Sequence, residues 1–449
     1  MRQKLSVTLL ALDSLSIYRG LLEDNVLNNL QALLSCIQKA DIELREVVNA
    51  YNDYYFELAK SGTMSLREHI IDILIFDENP FSFNIQAVQS SFSDNPLEKA
   101  VSHDLKALQL VSKLESTIIK AVLTELFPDS FYRTFIEELP DWVLASEPRL
   151  PLSTPDHIQR IKERFYRSNQ WEDCLAELKN FHRTYGCGSF ARNIAFVWEK
   201  SNGKGYLKGI EHPDSITLDD LVEYNSERSR VIENTLQFLK GFPSNNVLLY
   251  GDRGTGKSST VKAILNKYHT QGLRMVEVPK AYLADFPLII RQLKNRAQKF
   301  IIFIDDLVFG DNEENYTSLK AVLEGGLESK TPNILIYATS NRRHLVKEYF
   351  SERAGLQSGN HHDEVHAGDS MQEKLSLADR FGINVVFSSP DQNRYLRIVE
   401  GIAANRKLKI DKVKLQKEAL QWALWYNGRS ARTARQFVDW IEGKESFID

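Results

Sequence analysis

The residues with the clearest chemical meaning lie at 251–258, where the sequence reads GDRGTGKS. The spacing matches the phosphate-binding pattern G-x-x-x-x-G-K-[ST] at every fixed position. A backbone that wraps a phosphate turns several N–H groups inward, and glycine adopts the required conformations at low cost. An apolar run precedes the loop and helical spacing follows it, so we predict a strand, a phosphate loop and a helix in that order.

Each position of this loop has an expected role in holding a nucleoside triphosphate. Lys257 is expected to reach the β- and γ-phosphates, and the hydroxyl of Ser258 is expected to bind Mg²⁺. The other residues of the predicted ATP-binding loop are Gly251, Asp252, Arg253, Gly254, Thr255, Gly256 and Ser259. A plain glycine-rich turn is the alternative, and the flanking strand and helix patterns argue against it.

Polar residues also end two later apolar runs. FIIFIDD ends in Asp305 and Asp306, and IYATSN ends in Ser340 and Asn341. Carboxylates at the carboxyl edge of a parallel sheet lie where ligands bind in such folds. We expect Asp305 to hold the hydration shell of Mg²⁺, Asp306 to orient or deprotonate the attacking water, and Asn341 to face the γ-phosphate. The alternative is that these residues merely cap their strands.

The elements that must position these residues alternate between strand and helix from about residue 216 onward. Short apolar runs separated by helical segments predict a parallel sheet covered on both faces by helices. The predicted strands lie at 247–250, 275–279, 300–305, 333–339 and 383–388.

The domain organisation follows from changes in this pattern. Helical spacing runs through most of the first 185 residues, and two short strands around an Asn-Gly turn follow it. The predicted parts are a mainly α-helical N-terminal domain (1–187), a β-hairpin or linker (188–212), an α/β nucleotide-binding core (213–390) and a helical lid (391–449).

The bulk composition is that of a globular protein with more than one domain. A chain of 449 residues exceeds what a single core usually holds, and 43% hydrophobic with 26% charged residues is ordinary. The net charge of -4 excludes a globally basic nucleic-acid binder but leaves a local basic face open. The three cysteines have no metal-binding spacing and are typical of a reducing compartment.

The N-terminal segment has no clear export or membrane signal. Its positive start precedes apolar positions, but Asp13 and Arg19 interrupt them and no small-residue cleavage site follows. Nowhere does an apolar run reach the roughly 18 residues that a membrane span needs. We therefore expect an amphipathic N-terminal helix, a cytoplasmic protein and no membrane partner.

Taken together, the motifs make the sequence similar to the AAA+ ATPase superfamily. The resemblance is carried by GDRGTGKS, FIIFIDD, YATSN, LADRFG (377–382) and GRSARTARQF (428–437). The run from ITLDDLVEY to GTGKSS, and that from DDLVF through LKAVLEGGLE to SNRRHL, further resemble one bacterial family of uncharacterised AAA+-type ATP-binding proteins. The resemblance covers about residues 186–445. It implies an α/β, P-loop AAA+ fold: a parallel five-stranded sheet, helices on both faces and a small helical C-terminal lid.

The resemblance also implies roles for individual residues. Asn341 corresponds to the polar sensor after the fourth strand, and Arg380 to the arginine finger that reaches the nucleotide of the next subunit. Arg432 corresponds to the second sensor, which closes on the γ-phosphate from the lid of the same chain. Leu221 and Val222 correspond to the apolar stretch that holds adenine. Rigid guanidinium groups suit the spread charge of phosphoryl transfer.

Simpler interpretations of the arginines stay open at this point. Arg380 could be a helix C-terminal residue that counters the helix dipole. Arg429, Arg432 and Arg435 could form a solvated basic edge of the lid.

Asp306 departs from the superfamily, which usually has glutamate at this position. Aspartate is one methylene shorter, and a carboxylate that stops about 1 Å short of its water loses on the order of 10²-fold in rate. The sequence thus supports ATP binding more firmly than fast hydrolysis. Glu313, Glu314 and Glu324 lie downstream with longer side chains, but their spacing selects none of them.

Two further polar segments have weaker meaning. HHDEVH (361–366) contains residue types that bind zinc, but its glycine-containing surroundings lack the spacing that arranges ligands, so we favour a polar loop. Because it leads into the segment of Arg380, this loop is a candidate for sensing nucleotide or partner. RQLKNRAQK (291–299) is a basic run with few aromatics for stacking, and we favour a solvated face over a DNA contact.

Three functions are compatible with these features. The first, which uses most of the motifs, is an Mg²⁺-dependent ATPase that forms a homo-oligomeric ring or partial ring and binds an unknown protein client through its N-terminal helices. The second is a nucleotide-gated binding or scaffold module with very slow hydrolysis. The third is a helicase-loader-like, DNA-associated switch, which the negative net charge makes less favoured.

Overall fold

The computed structural model describes residues 1–86, 96–143, 154–307, 319–320, 323, 331–341, 380–426 and 428–446. The chain divides into two units, Met1–Arg192 and Asn193–Asp449. Among the described residues, no helix is both long enough and apolar enough to cross a membrane. The three cysteines are buried free thiols.

The first unit is helical, as its apolar periodicity predicts. Its helices are α1 (Arg2–Asp13), α2 (Asn25–Gln38), α3 (Leu44–Lys60), α4 (Leu66–Phe76), α5 (Pro80–Gln86), α6 (Pro96–Ser112), α7 (Ser116–Leu126), α8 (Ser130–Glu137), α9 (Asp156–Arg167), α10 (Leu175–Tyr185) and α11 (Gly188–Arg192). Their apolar faces form one continuous core.

A buried carboxylate fixes the chain between α1 and α2 of this unit. Asp104, on α6, is fully buried and accepts hydrogen bonds from the backbone N–H groups of Ser16, Ile17 and Tyr18 at 3.0, 2.7 and 2.9 Å. Three backbone donors offset the cost of burying the charge, so this loop is held by a specific interaction as well as by packing.

The second unit contains one seven-stranded sheet. Its strands are β1 (Ala195–Ser201), β2 (Lys204–Gly209), β3 (Val247–Gly251), β4 (Leu273–Glu277), β5 (Lys299–Ile304), β6 (Ile334–Ser340) and β7 (Ile383–Phe387), in the order β2-β1-β4-β5-β6-β3-β7. The β1–β2 pair is antiparallel and every other pair is parallel. Consecutive residues Phe300–Ile304 are all buried, so both faces of β5 are covered.

The predicted fold class is confirmed, but the predicted number of five strands is wrong. The hairpin expected at 188–212 is part of the sheet, because Ala195, Phe196 and Val197 of β1 pair in parallel with β4. The edge of β4 would otherwise present unpaired backbone groups, and the hairpin covers it.

The helices of the second unit flank the sheet and form the lid. Those in the core are α12 (Asn225–Leu239), α13 (Lys257–Tyr268) and α14 (Phe286–Leu293), and those in the lid are α15 (Gln392–Asn405), α16 (Lys412–Trp425) and α17 (Ala431–Ser446). Tyr395, Ile398, Phe437 and Val438 belong to the same apolar core as β3 and β7. The lid therefore shares one apolar core with β3, the strand that leads into the phosphate loop.

The hairpin offers a test of its packing at Gly205, in β2. A Cβ at Gly205 would lie 2.0 Å from the ring of Trp198, which is fully buried and whose Nε1–H donates to Asp285 at 2.9 Å. We expect Gly205→Ala to lower the free energy of unfolding by about 1–3 kcal/mol, because the indole has no room to move. Urea denaturation followed by fluorescence would measure this change.

Gly443→Ala, in α17, is the matched control because a Cβ at that position meets no atom within 4 Å. Alanine is favoured over glycine inside a helix by about 0.5–1 kcal/mol, so this variant should be as stable as the parent or more stable. Equal stability of Gly205→Ala and the parent would contradict the packing of Trp198 described above.

Candidate nucleotide-binding site

The predicted site residues converge on one cavity of about 490 Å³ in the second unit. Five separate parts of the chain contribute the predicted residues of its lining. The predicted residues that line it are Leu221, Val222, Arg253, Gly254, Thr255, Gly256, Lys257, Ser258, Ser259, Asp305, Asp306, Asn341 and Arg432. Gly251 and Asp252 form the base of the loop behind this lining, and Arg380 lies elsewhere.

The loop between β3 and α13 has a backbone that requires glycine. Gly251, Gly254 and Gly256 have φ values of 130°, 72° and 95°, in the region that side chains disfavour. A Cβ at Gly251 would also lie 2.2 Å from the carbonyl oxygen of Phe387, at the end of β7. Next to it, the N–H of Asp252 donates to this same carbonyl at 3.0 Å. The loop is thus held against β7 by close backbone contact.

Lys257 is the first residue of α13, and its amino group points back into the loop. Nζ donates to the carbonyl oxygens of Gly251 and Asp252 at 3.0 and 2.6 Å and to Oδ1 of Asn341 at 3.1 Å. The side chain is buried, and this burial lowers the pKa of Lys257 to about 8. Nearby carboxylates oppose the shift, whereas the positive charge of Arg432 adds to it.

Two oxygen groups beside Lys257 suit a magnesium ion. Ser258 Oγ donates to Oδ1 of Asp305 at 2.6 Å, and Thr339 Oγ1 donates to the same oxygen at 2.5 Å. Mg²⁺ prefers carboxylate and hydroxyl oxygens and keeps several waters. The donor set therefore fits the predicted ion, with Ser258 and Asp305 as the residues that would hold it.

Asp306 has a strained backbone and a carboxylate with two protein donors. Its φ of 53° is in the left-handed region, which non-glycine residues visit mainly at special positions such as functional sites. Asn341 Nδ2 donates to Oδ1 at 2.6 Å, and Lys280 Nζ donates to Oδ2 at 3.1 Å. Both oxygens are thereby oriented toward the neighbouring strands.

Lys280 is a site neighbour that the sequence reasoning missed. It lies three residues beyond β4, at the same carboxyl edge of the sheet as Asp306 and Asn341. The rule that selected those two residues, polar side chains just after parallel strands, would have selected Lys280 as well. Asp305 contacts Ser258 and Asn341 contacts Lys257, which is the arrangement that the predicted site requires, and the roles of both residues remain predictions.

The segment expected to hold adenine is shaped by an unpredicted arginine. Leu221 and Val222 line the cavity, and the next residues, Glu223 and Tyr224, both have left-handed φ values, 64° and 58°. Arg228, on α12, is buried, also lines the cavity, and donates to the carbonyl of Leu221 at 2.7 Å. Burial lowers the pKa of Arg228. No spacing rule would have found it, since its significance depends on this contact.

The lid contacts the phosphate loop directly. The backbone N–H of Arg432, in the first turn of α17, donates to the carbonyl of Gly254 at 2.9 Å. A Cβ at Gly254 would lie only 2.9 Å from Oγ of Ser430, so the two backbones approach closely. A second contact of the lid is made by Glu223, which forms ion pairs with Arg394 at 3.3 Å and Arg397 at 2.7 Å, both on α15.

The charges around the cavity favour a polyanionic ligand. Its lining has five cationic and three anionic side chains, namely Arg228, Arg253, Lys257, Arg432 and Arg435 against Asp220, Asp305 and Asp306. Arg432 lies in the first turn of a helix, where the helix dipole disfavours a cation. An anion bound between these cations would relieve their mutual repulsion, and a triphosphate has the required charge.

Arg380 is at the opposite edge of the sheet from the cavity. It precedes β7, whereas the phosphate loop follows β3, and these strands are parallel with Val247 paired to Ile383. The length of β7 separates Arg380 from the loop by on the order of 20 Å, more than an arginine side chain spans. Arg380 therefore does not reach the cavity of its own chain.

The remaining sequence candidates cannot be placed. Glu313, Glu314, Glu324 and the segment 361–366 lie outside the described residues. Within the described residues, no group of three or more His, Cys, Asp or Glu side chains is arranged to hold a metal ion.

A parallel sheet with a phosphate loop after β3, acids after β5, an amide after β6 and a helical lid defines an α/β P-loop fold of the AAA+ type. Residues 191–445 match DUF815, described as a protein family of unknown function, and because this match covers more than half of the sequence, the chain belongs to that family. The predicted membership of an uncharacterised family of AAA+ type is thereby confirmed.

Curated proteins are similar to short parts of the chain. A 26S proteasome regulatory subunit 4 homolog of Schizosaccharomyces pombe is 41% identical over 70 residues, 14% of this chain and 16% of that protein. Proteasome-activating nucleotidase 1 of Haloferax volcanii is 27% identical over 158 residues, 30% of this chain and 39% of that protein. The chain thus spans less than half the length of either relative.

Two solved structures are similar at low identity. The Thermotoga maritima RuvB Holliday junction branch migration motor is 12% identical with a TM-score of 0.31, covering 50% of this chain and 71% of that one. The AAA domain of FIGL-1 in complex with ADP is 16% identical with a TM-score of 0.33, covering 50% of this chain and 72% of that one.

The pKa of Lys257 predicts how ATP affinity depends on pH. Lysine normally has a pKa of 10.5, and burial lowers that of Lys257 to about 8. A triphosphate stabilises the ammonium form, so above pH 8 binding requires the uptake of a proton. We expect a constant apparent Kd from about pH 6.5 to 7.5, and a rise of up to about tenfold per pH unit above pH 8. Titration of a fluorescent ATP analogue would measure it.

Stability should change with pH in the opposite direction. Between pH 8 and 10.5 the unfolded chain binds more protons at Lys257 than the folded chain, so this residue adds to the free energy of unfolding as the pH rises.

Lys257→Arg is the control for the pH dependence of ATP affinity, because a guanidinium stays charged throughout this range. If Lys257→Arg shows the same pH dependence as the parent, a different group is titrating.

Proposed function

We propose that this chain is an Mg²⁺-dependent ATPase of the AAA+ type that uses ATP binding and hydrolysis to drive conformational change on a client. The observation that best supports this function is the convergence of Lys257, Asp305, Asp306 and Arg432 on one glycine-lined cavity. These residues come from the loop, the sheet edge and the lid, and each has a chemical use in phosphoryl transfer.

The cavity suits the parts of ATP in a definite order. Leu221 and Val222 offer an apolar surface for adenine, while the loop amides and the first turn of α13 offer donors to the phosphates. Lys257 adds a charge beside the β- and γ-phosphates. A magnesium ion held by Ser258 and Asp305 would neutralise phosphate charge and orient the reacting group.

Asp306 is the proposed group that orients or deprotonates the attacking water. Its two oxygens already accept hydrogen bonds from Asn341 and Lys280, so a water must compete with these donors for the carboxylate. Together with its short side chain, this competition favours slow turnover by an isolated chain. A nucleotide-gated binding module with very slow hydrolysis is therefore the second candidate function.

Arg380 supports a proposal about assembly. Because it cannot reach the cavity of its own chain, an arginine-finger role requires a second copy whose cavity it approaches. We therefore propose a homo-oligomeric ring or partial ring in the presence of ATP, with the helical N-terminal domain (1–187) binding an unknown protein client. The reducing environment suggested by the free cysteines favours a cytoplasmic location.

Two substitutions separate ATP binding from hydrolysis. Lys257→Ala removes a buried charge and three hydrogen bonds, so we expect the Kd for ATP to rise by at least about 10²-fold. Asp306→Asn keeps the shape but not the carboxylate, so we expect binding within about threefold of the parent and a kcat lower by about 10²–10³-fold. Calorimetric titration and a phosphate-release assay would measure the two effects.

Lys262→Ala is the matched control, since Lys262 lies on the same helix but outside the cavity and pairs with Asp214 at 3.4 Å. Its affinity and turnover should remain within about twofold of the parent, as expected for a surface ion pair. ATP binding to Lys257→Ala as tight as to the parent would show that the site is assigned wrongly. Unchanged turnover in Asp306→Asn would remove Asp306 from its proposed role.

Mixing two inactive variants tests the role of Arg380. Arg380→Ala should lower kcat by about 10³-fold while leaving ATP binding nearly unchanged. Asp306→Asn is also inactive but retains Arg380. If the finger acts on the neighbouring subunit, a mixture of the two should recover turnover, since one chain supplies the finger and the other the carboxylate. Absence of recovery, with assembly seen by light scattering, would contradict action between subunits.

A further inference from the structure

The lid has more positive charge than its own acids neutralise. Residues 391–449 contain 12 Lys and Arg against eight Asp and Glu, in a chain whose net charge is -4. The lid acids mostly serve other cations or cap helices: Asp439 and Glu442 pair with Arg406, and Glu400 pairs with Lys412. The excess of positive charge therefore belongs to the lid and not to the chain as a whole.

Four exposed lysines are part of this excess of positive charge. Lys407 and Lys409 lie in the turn before α16, and Lys414 and Lys417 lie on the helix itself. Within the part of the chain that the structure describes, none of the four forms an ion pair. Such unneutralised neighbours repel one another, and the repulsion is relieved only by counterions or an anionic partner.

The lysines of α16 share one face of the helix with an exposed tryptophan. Lys414, Lys417, Gln421 and Trp425 follow one another at steps of three and four residues, which places them in a row along the helix. The row is about 16 Å long at 1.5 Å per residue. All four side chains are exposed, and Trp425 is 73% exposed. We call this row, with Lys407 and Lys409 before it, the lid face.

Two further aromatic residues are exposed in the lid: Tyr426, which follows Trp425, and Trp440, which lies on α17. Tyr426 and Trp440 are 49% and 43% exposed, and both rings contact Trp422, with centroids 4.3 and 5.2 Å apart. The amino group of Lys444 lies 4.8 Å above the ring of Trp440. Because their neighbours hold these rings, their exposed surfaces can be covered with little loss of side-chain entropy.

We propose that the lid face binds single-stranded nucleic acid, with bases stacked on the exposed rings of Trp425, Tyr426 and Trp440 and with phosphates on the lysines. Exposed aromatic rings beside unpaired cations are what sequence-tolerant binding of single strands requires. A protein partner fits less well, because lysine is depleted in protein interfaces. The proposal goes beyond the ATPase function and does not depend on it.

The other basic segment, 291–299, is less suited to this role. Lys299 donates to the carbonyl of Pro332 at 2.8 Å and lies 4.9 Å from the ring centre of Phe238, so it is used within the fold. The run contains no aromatic residue. The lid face has both the unpaired lysines and the exposed aromatic rings that a contact with single-stranded nucleic acid needs, whereas the segment 291–299 has no ring.

Fluorescence anisotropy of a labelled 20-nucleotide oligothymidylate with the full-length chain would test the proposal. We expect binding at low salt that weakens steeply as salt is added. Trp425→Ala should raise the Kd by about tenfold, because one stacking surface is removed. Lys414→Gln with Lys417→Gln should weaken binding and reduce the slope of log K against log salt by about 1.4, or about 0.7 for each phosphate that is no longer neutralised.

Matched control variants remove the same types of side chain, an exposed aromatic ring or two exposed lysines, elsewhere in the second unit. Phe242→Ala removes an aromatic ring that is 62% exposed and lies outside the lid. Lys267→Gln with Lys294→Gln removes two exposed lysines from the surface of the α/β part of the second unit, outside the lid. Both controls should bind the oligonucleotide within about twofold of the parent. Unchanged ATP affinity in the lid-face variants would show that the lid still folds onto the cavity.

Several results would overturn the proposal. Absence of binding at low salt, or equal binding by Trp425→Ala and the parent, would exclude this surface. Displacement of the labelled strand by polyglutamate or by duplex DNA as readily as by unlabelled single strand would show that charge alone is responsible. Loss of self-association in Trp425→Ala, without oligonucleotide binding by the parent, would make the lid face a contact between copies.

Discussion

The buried ammonium group of Lys257 is the interaction on which the candidate site depends. Its three donors reach the carbonyls of Gly251 and Asp252 and the side-chain oxygen of Asn341, so one charge connects the phosphate loop with the end of β6. Burying a cation is costly unless polar groups surround it, and carbonyl dipoles and carboxylates do so here. The same burial that lowers its pKa strengthens its attraction for a phosphate, because the surroundings are less polar than water.

The strand order explains why the other site residues meet this group. In the sequence of neighbours β5-β6-β3, the acids follow β5, Asn341 follows β6 and the phosphate loop follows β3. Parallel strands bring all three carboxyl ends to one edge, although up to about 90 residues separate them in the chain. Strand packing therefore provides the site geometry, and the left-handed backbone of Asp306 adjusts the last carboxylate toward Asn341 and Lys280.

Sequence patterns within short segments predicted those elements of the fold whose formation depends mainly on neighbouring residues. The five parallel strands and the glycine loop are visible in sequence because each rests on its own apolar run or backbone requirement. The hairpin's place in the sheet was not predictable, because it depends on Ala195 pairing with Met275, 80 positions away. Arg228 was missed for the same reason, since it acquires its significance from a partner brought close only by folding, whereas the strand-end rule would have selected Lys280. The roles assigned to the site residues remain predictions.

The contacts of the lid connect it to the phosphate loop and to the core of the second unit. The lid contacts the rest of the unit at the Arg432–Gly254 hydrogen bond and through the pairs of Glu223 with Arg394 and Arg397. The lid helices also share the apolar core of β3 and β7 through Tyr395, Ile398 and Phe437, so moving the whole lid away would expose apolar surface. Because the N–H of Arg432 donates to the carbonyl of Gly254, a change in the loop at Gly254 would act directly on α17. Because α16 and α17 pack together through Trp422 and Trp440, the lid face would move with them.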